Sequence, residues 1–109
     1  MYVAVRQDID LGYQAVQAGH AAIQFQHDHP EIAKSWHDWS KYLVYVSARD
    51  EQHLKDLIFK SEIRNISTSI FTEPDIDDQI TAVAFEPSIA STKLLSNLPL
   101  AFKSHNILT

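Results

Sequence analysis

Two short runs constrain this chain most: Tyr2-Val3-Ala4-Val5-Arg6 near the start and Lys41-Tyr42-Leu43-Val44-Tyr45-Val46-Ser47 some forty residues on. Both are rich in β-branched and aromatic residues, and the first is nearly continuous in its apolarity, the pattern of a strand buried on both faces. The residues between them have helical period, so the two strands are expected to run parallel through a right-handed crossover. A parallel pair needs cover on both faces. The expected class is therefore α/β: a small mixed four-stranded sheet with helices on both faces.

The remaining elements fit that frame. A helix from about Asp10 to His27 follows the first strand, with Asp8 or Asp10 able to cap it and Asp28-His29-Pro30 ending it. Pro30 to Trp36 reads as a short second helix with proline in its first turn. Trp36 and Trp39 then read as a lid of apolar area over one edge of the core, with a stacking platform for a ligand as the less favoured alternative. Ser47-Ala48-Arg49-Asp50 resembles a capping box before a helix that buries Leu54, Leu57 and Ile58. Asn65 to Phe71 alternates as a strand, residues 72–78 form an acidic loop, and Gln79 to Phe85 is the last strand. The last two strands are close enough in sequence for an antiparallel hairpin. Pro87 and Ser88 open a final helix anchored by Ile89, Leu94, Leu95 and Leu98.

At 109 residues the chain makes one domain, spanning 1–109. It contains no cysteine, which removes disulfides and thiolate metal ligands. No apolar run approaches the roughly 20 residues that span a bilayer, and the N-terminus enters a strand at once without a basic leader. A cytoplasmic location with no membrane partner is the expectation. Nine Lys and Arg stand against fourteen Asp and Glu, a net charge of -5. That balance opposes nonspecific nucleic-acid binding, in which neutralised phosphates supply the affinity.

The candidate chemistry lies on the first long helix. At about 100° per residue, Tyr13, Gln17, His20, Gln24 and His27 share one arc, and Ala15, Ala18, Gly19, Ala22 and Ile23 lie roughly opposite. The small residues are expected to press against the sheet, leaving a hydrogen-bonding stripe with two imidazoles outward. An imidazole near neutrality suits general acid–base work, and little bulk surrounds His20; a helical histidine bonded to Gln24 or Gln17 without function is the plainer alternative. Glu73, Asp75, Asp77 and Asp78 could bring an orienting carboxylate to His20 or Arg6, although solvated acids and an Arg6 that neutralises nearby carboxylates are the plainer readings. Neither glycine-rich nucleotide fingerprint is present. The helix N-terminus offers free amides, but Asp8 and Asp10 stand against a strongly anionic ligand there. The spacing of His27, His29 and His37 matches no zinc pattern, so no metal is expected. No nucleophile elbow surrounds a serine, and Ser47 is better used as a cap.

Val5-Arg6-Gln7-Asp8-Ile9, then Gln17-Ala18-Gly19-His20-Ala21-Ala22, Pro30-Glu31, Trp36 and Ile80-Thr81-Ala82-Val83-Ala84 together, in that order, resemble the type II peptidyl-tRNA hydrolases. The resemblance runs to about Leu98. It implies a mixed four-stranded sheet between helical layers, assembly as a homodimer, and a part in translation. It also implies metal-free and cofactor-free cleavage of the ester joining a peptide to the terminal ribose of tRNA. Carried over by position, His20 and Glu73 would be catalytic, and Arg6, Tyr13, Gln17 and Thr81 would bind substrate. Tyr13 stands where the family has a lysine, and Glu73-Pro74-Asp75-Ile76-Asp77-Asp78 replaces a loop that carries a basic residue. Both changes remove positive charge where a phosphate or developing oxyanion would meet it. The alternative to an esterase is a non-catalytic member binding a small ligand or protein partner through the same cleft.

Overall fold

The computed structural model of the chain describes residues 1–103. Its elements in order are β1 (Tyr2–Arg6), α1 (Leu11–Asp28), α2 (Pro30–Asp38), β2 (Val44–Ala48), α3 (Glu51–Ile63), β3 (Thr68–Glu73), a single 3₁₀ turn (Pro74–Ile76), β4 (Gln79–Phe85) and α4 (Ile89–Leu95). The four strands lie in the order β2-β1-β4-β3. β1 and β2 are parallel, from Tyr2 opposite Val44 to Arg6 opposite Ala48. β4 runs antiparallel to both β1 and β3. The expected α/β class, the parallel first pair and the closing hairpin are all present.

Period-two alternation divides the core into two halves. Ala4, Val46, Val83 and Phe85 point to one face, where Leu54 and Leu57 of α3 and Leu95 of α4 cover them. Val3, Val5, Ala82 and Ala84 point to the other, under Ala18, Ala21 and Phe25 of α1. Alanines on both sides of the second interface let the α1 backbone approach the sheet closely, and Phe25 fills the space beyond them. Burying Phe25 or Phe85 completely stabilises the fold by about 1.5–3 kcal/mol each, and truncating either to alanine costs about 3–5 kcal/mol.

Several boundaries differ from the sequence reading. β2 starts at Val44 because Lys41 takes a left-handed backbone (φ 59°), which breaks the extended run before it. β3 starts at Thr68 because Asn65 (φ 55°) turns the chain out of α3, with the Ile66 amide donating to the Ser61 carbonyl at 2.9 Å. Asparagine tolerates that conformation, and the reversed bond is how helix ends are commonly closed. Asp50, rather than Ser47, caps α3, accepting from the His53 amide at 2.9 Å, and Ser47 is a strand residue. Asp10 occupies the N-cap of α1 without a side-chain bond. Only Trp36 acts as a lid: its indole donates to the Tyr42 carbonyl at 2.7 Å, whereas Trp39 is 85% exposed. Pro99 to Ala101 lies along β2, with Ser47 donating to Pro99 and Ala101 to Tyr45, and so covers that edge of the sheet.

The largest correction concerns α1. Its buried face is Gln14, Gln17, Ala18, Ala21 and Phe25, while Ala15, Val16 and Ile23 are exposed. The packing face therefore falls between the polar arc and the small-residue arc. Phe25 carries the largest apolar surface to bury, and it rotates the helix until the polar arc becomes a flank of the interface. That rotation carries Gln17 into the interior. Among the described residues, no helix is long and apolar enough to cross a membrane.

Candidate active site

A buried glutamine needs partners at both ends of its amide, and Gln17 is fully buried. β4 supplies one of them through an irregularity. Phe71 pairs with Ala82, but Thr72 pairs with Ile80, so Thr81 is an extra residue in the ladder. Simple alternation from Val83 and Phe85 would aim Thr81 at α3. The bulge turns it toward α1, beside Ala82, and lets Ile80 pack on the α3 side instead. The Thr81 hydroxyl then donates to Gln17 Oε1 at 2.6 Å. This fixes the orientation of the amide, because Gln17 Oε1 is now the acceptor and Nε2 must face outward.

Gln17 Nε2 donates to Glu73 Oε1 at 2.9 Å, and the Asp75 amide donates to Glu73 Oε2 at 3.2 Å. Glu73 is the last residue of β3 and Pro74 follows at once, so the strand end and the 3₁₀ turn together hold the carboxylate. The Gln17 bond first, then the Asp75 amide, with smaller help from Tyr13 and His20, hold its pKa below the usual glutamate value. Donors directed at the charged form favour ionisation. Tyr13 lies on the same side. Partial burial, and next the neighbouring Glu73 and Asp75 carboxylates, push its phenol above its ordinary value, so it keeps its proton at neutral pH.

His20 stands one turn of α1 beyond Gln17. Its ring stacks on Phe71 with centroids 4.5 Å apart and planes 4° from parallel. Neither of the hydrogen bonds considered from sequence, to Gln17 or Gln24, is formed: Gln17 serves Glu73, and Gln24 donates to Asp28 at 2.8 Å. Among the described residues no protein group claims a His20 ring nitrogen, so the imidazole is oriented by stacking and its nitrogens are free for a ligand. Phe71 escaped the sequence reading because it looked like one more strand residue. The signal that could have found it is its place two residues before Glu73, which puts both side chains on one face of β3.

Tyr13, Gln17, His20, Glu73 and Thr81 therefore converge, and Arg6 does not. Arg6 shares a β1 face with Ala4 and points toward α3, where it is 8% exposed. Nε and Nη2 donate to the two oxygens of Asp8, each at 2.9 Å, and Nη1 donates to Gln79 Oε1 at 2.8 Å. The Asp8 hydrogen bond holds the guanidinium above, and the Asp8 carboxyl below, their ordinary values. With its donors engaged and its side chain inside, Arg6 sits apart from the other candidates.

Comparison with known proteins gives the same family as the residues do. The profile of the family described as Peptidyl-tRNA hydrolase PTH2 matches residues 1–99. The protein named "Peptidyl-tRNA hydrolase 2, mitochondrial" from Bos taurus is 30% identical over 79 residues, covering 67% of this chain and 44% of the relative. The chain thus spans less than half the length of the curated relative it matches. With a match across nearly the whole described chain, and the mixed four-stranded sheet above, this protein belongs to the peptidyl-tRNA hydrolase PTH2 family.

Proposed function

We propose that this chain is an esterase that cleaves the ester between a peptide and tRNA, using the cluster around Glu73. The observation that carries the proposal is the relay Thr81–Gln17–Glu73, which spends two buried polar side chains on orienting one accessible carboxylate. In the proposed reaction a water molecule lies between Glu73 and His20. The imidazole takes its proton as the oxygen attacks the ester carbonyl, and the Glu73 carboxylate stabilises the imidazolium that forms. The protonated Tyr13 hydroxyl donates to the oxyanion of the tetrahedral intermediate. The imidazolium then protonates the departing ribose oxygen, releasing peptide acid and tRNA. Gln17 and Thr81 act by positioning, since their bonds to each other and to Glu73 are already made.

Incubating the pure protein with N-acetyl-aminoacyl-tRNA should release free tRNA and the N-acetyl amino acid, and His20→Gln should slow release about 10²–10⁴-fold. Intact substrate after prolonged incubation with folded wild-type protein would remove the proposal. The second reading, a binding member without catalysis, is favoured by the acidic surround: Asp75, Asp77 and Asp78 follow Glu73, and Tyr13 supplies no positive charge. Under it, ligand affinity would barely change between low and moderate salt, whereas tRNA binding falls steeply. A homodimer, implied by the resemblance, and the cytoplasmic setting expected from the sequence belong to the proposal too. Sedimentation equilibrium tests the first.

A further inference from the structure

Burial favours large apolar side chains, yet at one end of the sheet several of them face solvent. Trp39, Ile89 and Tyr42 are 85%, 77% and 76% exposed, the three highest values among the large hydrophobic residues described. They gather at the end away from Glu73, where β1 and β2 begin and β4 ends. The segment carrying the two aromatics is held in place. The Trp39 amide donates to the Ser35 carbonyl at 3.1 Å, the Lys41 amide to Trp36 at 2.9 Å, and the Trp36 indole to Tyr42. An apolar patch held out on a fixed backbone marks an interaction surface.

Two cavities adjoin in this patch and share Ser40 and Pro87. The first, of about 460 Å³, is lined by Trp36, Trp39 and Glu31. Charge decides what it takes. Among the described residues that line it, Glu31 alone is charged, and Glu31 enters no ion pair there. Lys34, three residues on in α2, is engaged by Asp38 at 2.7 Å, and Lys41 lines neither cavity. An unpaired carboxylate beside two indoles attracts a cation, because the indole face is the most electron-rich that a protein offers. A guanidinium answers both features. It is planar for stacking, weakly hydrated, and forked to meet a carboxylate.

The second cavity, of about 390 Å³, is walled by uncharged side chains that include Tyr42, Val44 and Ile89. A segment lying across both cavities cannot join the sheet by strand addition, because Pro99 to Ala101 already cover the edge of β2 from Tyr45 to Ser47. It must be held by side chains instead. A polyproline II segment suits that requirement: its backbone stays solvated, and its proline rings pack against aromatic walls.

We infer that this patch docks an extended, proline-rich segment of another protein that carries an arginine. The guanidinium lies at Trp36 and Trp39 against Glu31, and the flanking prolines pack on Tyr42, Pro87 and Ile89. The surface is remote from Glu73, so the inference does not rest on the esterase reading and is measured without turnover.

Trp36 and Trp39 are the two tryptophans of the chain, so indole fluorescence reads this surface alone. The test is a fluorescence titration of the full chain with the blocked peptide Pro-Pro-Arg-Pro-Pro, its glutamine counterpart Pro-Pro-Gln-Pro-Pro, and the glycine-flanked Gly-Gly-Arg-Gly-Gly. The first should shift the emission saturably and bind about tenfold or more tightly than the glutamine peptide. The glycine-flanked peptide, which must be ordered on binding, should be weaker by about fivefold or more. Glu31→Gln, at an exposed position, should weaken the arginine–proline peptide about threefold to tenfold and leave the glutamine peptide unchanged. No emission change at millimolar arginine–proline peptide, equal affinity for either control peptide, or full affinity in Glu31→Gln would each overturn the inference. So would emission that changes on diluting the protein alone, which would assign the face to a second copy of this chain.

Discussion

One end of the sheet carries two polar clusters, one on each face. On the α3 side, Arg6 meets Asp8 and Gln79, and the guanidinium is turned inward with its donors spent on protein acceptors. On the α1 side, Thr81, Gln17 and Glu73 form a chain of bonds whose inner end is fully buried and whose outer end reaches Tyr13, His20 and solvent. The difference is one of direction. A closed network satisfies groups that burial would otherwise penalise, so its removal is felt in stability. An open relay transfers the rigidity of the core to one accessible carboxylate, so its removal is felt in whatever that carboxylate does.

Breaking the open relay at its tip has the largest expected effect. Glu73→Gln keeps the shape and removes the charge, and should lower hydrolysis about 10²–10⁴-fold while leaving the thermal midpoint nearly unchanged. Scanning calorimetry beside the rate measurement checks both halves. Arg6→Met is its counterpart. It should cost about 2–3 kcal/mol of stability, roughly 10 °C in the unfolding midpoint, with hydrolysis per folded molecule retained. Thr81→Val falls between them, since it strands the buried Gln17 oxygen and loosens Glu73. Urea unfolding should show about 1–2 kcal/mol lost, and the rate should fall about tenfold.

The smallest effect is on pH dependence. The Asp8 carboxyl sits below its ordinary value when folded, so its pairing contributes fully above the unfolded value and is lost as pH falls through the folded one. Stability from this pair should therefore be flat from pH 7 to 5 and decline only below the ordinary aspartate range. Arg6→Met should have a shallower acid slope in that range. Glu73 is also held below its ordinary value, so its charged form is present throughout the neutral region, and acid loss of activity from this group lies below the usual glutamate range.

The fold was legible because each level of the chain agreed. Buried strands, helical spacing between them, Pro30 and Pro87 at helix starts, and close spacing before β4 all point to one topology. The relay was legible only in part. Gln17, Glu73 and Thr81 were picked out through family resemblance, while periodicity placed Gln17 on an outward stripe and a regular alternation along β4 would have aimed Thr81 at the opposite face. Two non-local facts decide both positions: Phe25 sets the rotation of α1, and a bulge opposite the Phe71–Thr72 step re-aims Thr81. Neither leaves a local trace, because a threonine in a bulge and a threonine in a regular strand read alike. For Arg6 the plainer sequence reading, an arginine that neutralises nearby carboxylates, matches its pairing with Asp8, whereas the side of the sheet it faces could not be read from a strand-end position.

The division between the two clusters is tested most directly by the initial rate of peptidyl-tRNA hydrolysis for wild type, Glu73→Gln and Arg6→Met. All three are compared at a temperature where each is folded. An open relay serving catalysis requires wild type and Arg6→Met to cleave at similar rates and Glu73→Gln to be slower by at least about a hundredfold. A Glu73→Gln protein as fast as wild type, or a folded wild type that leaves the ester intact, would contradict it.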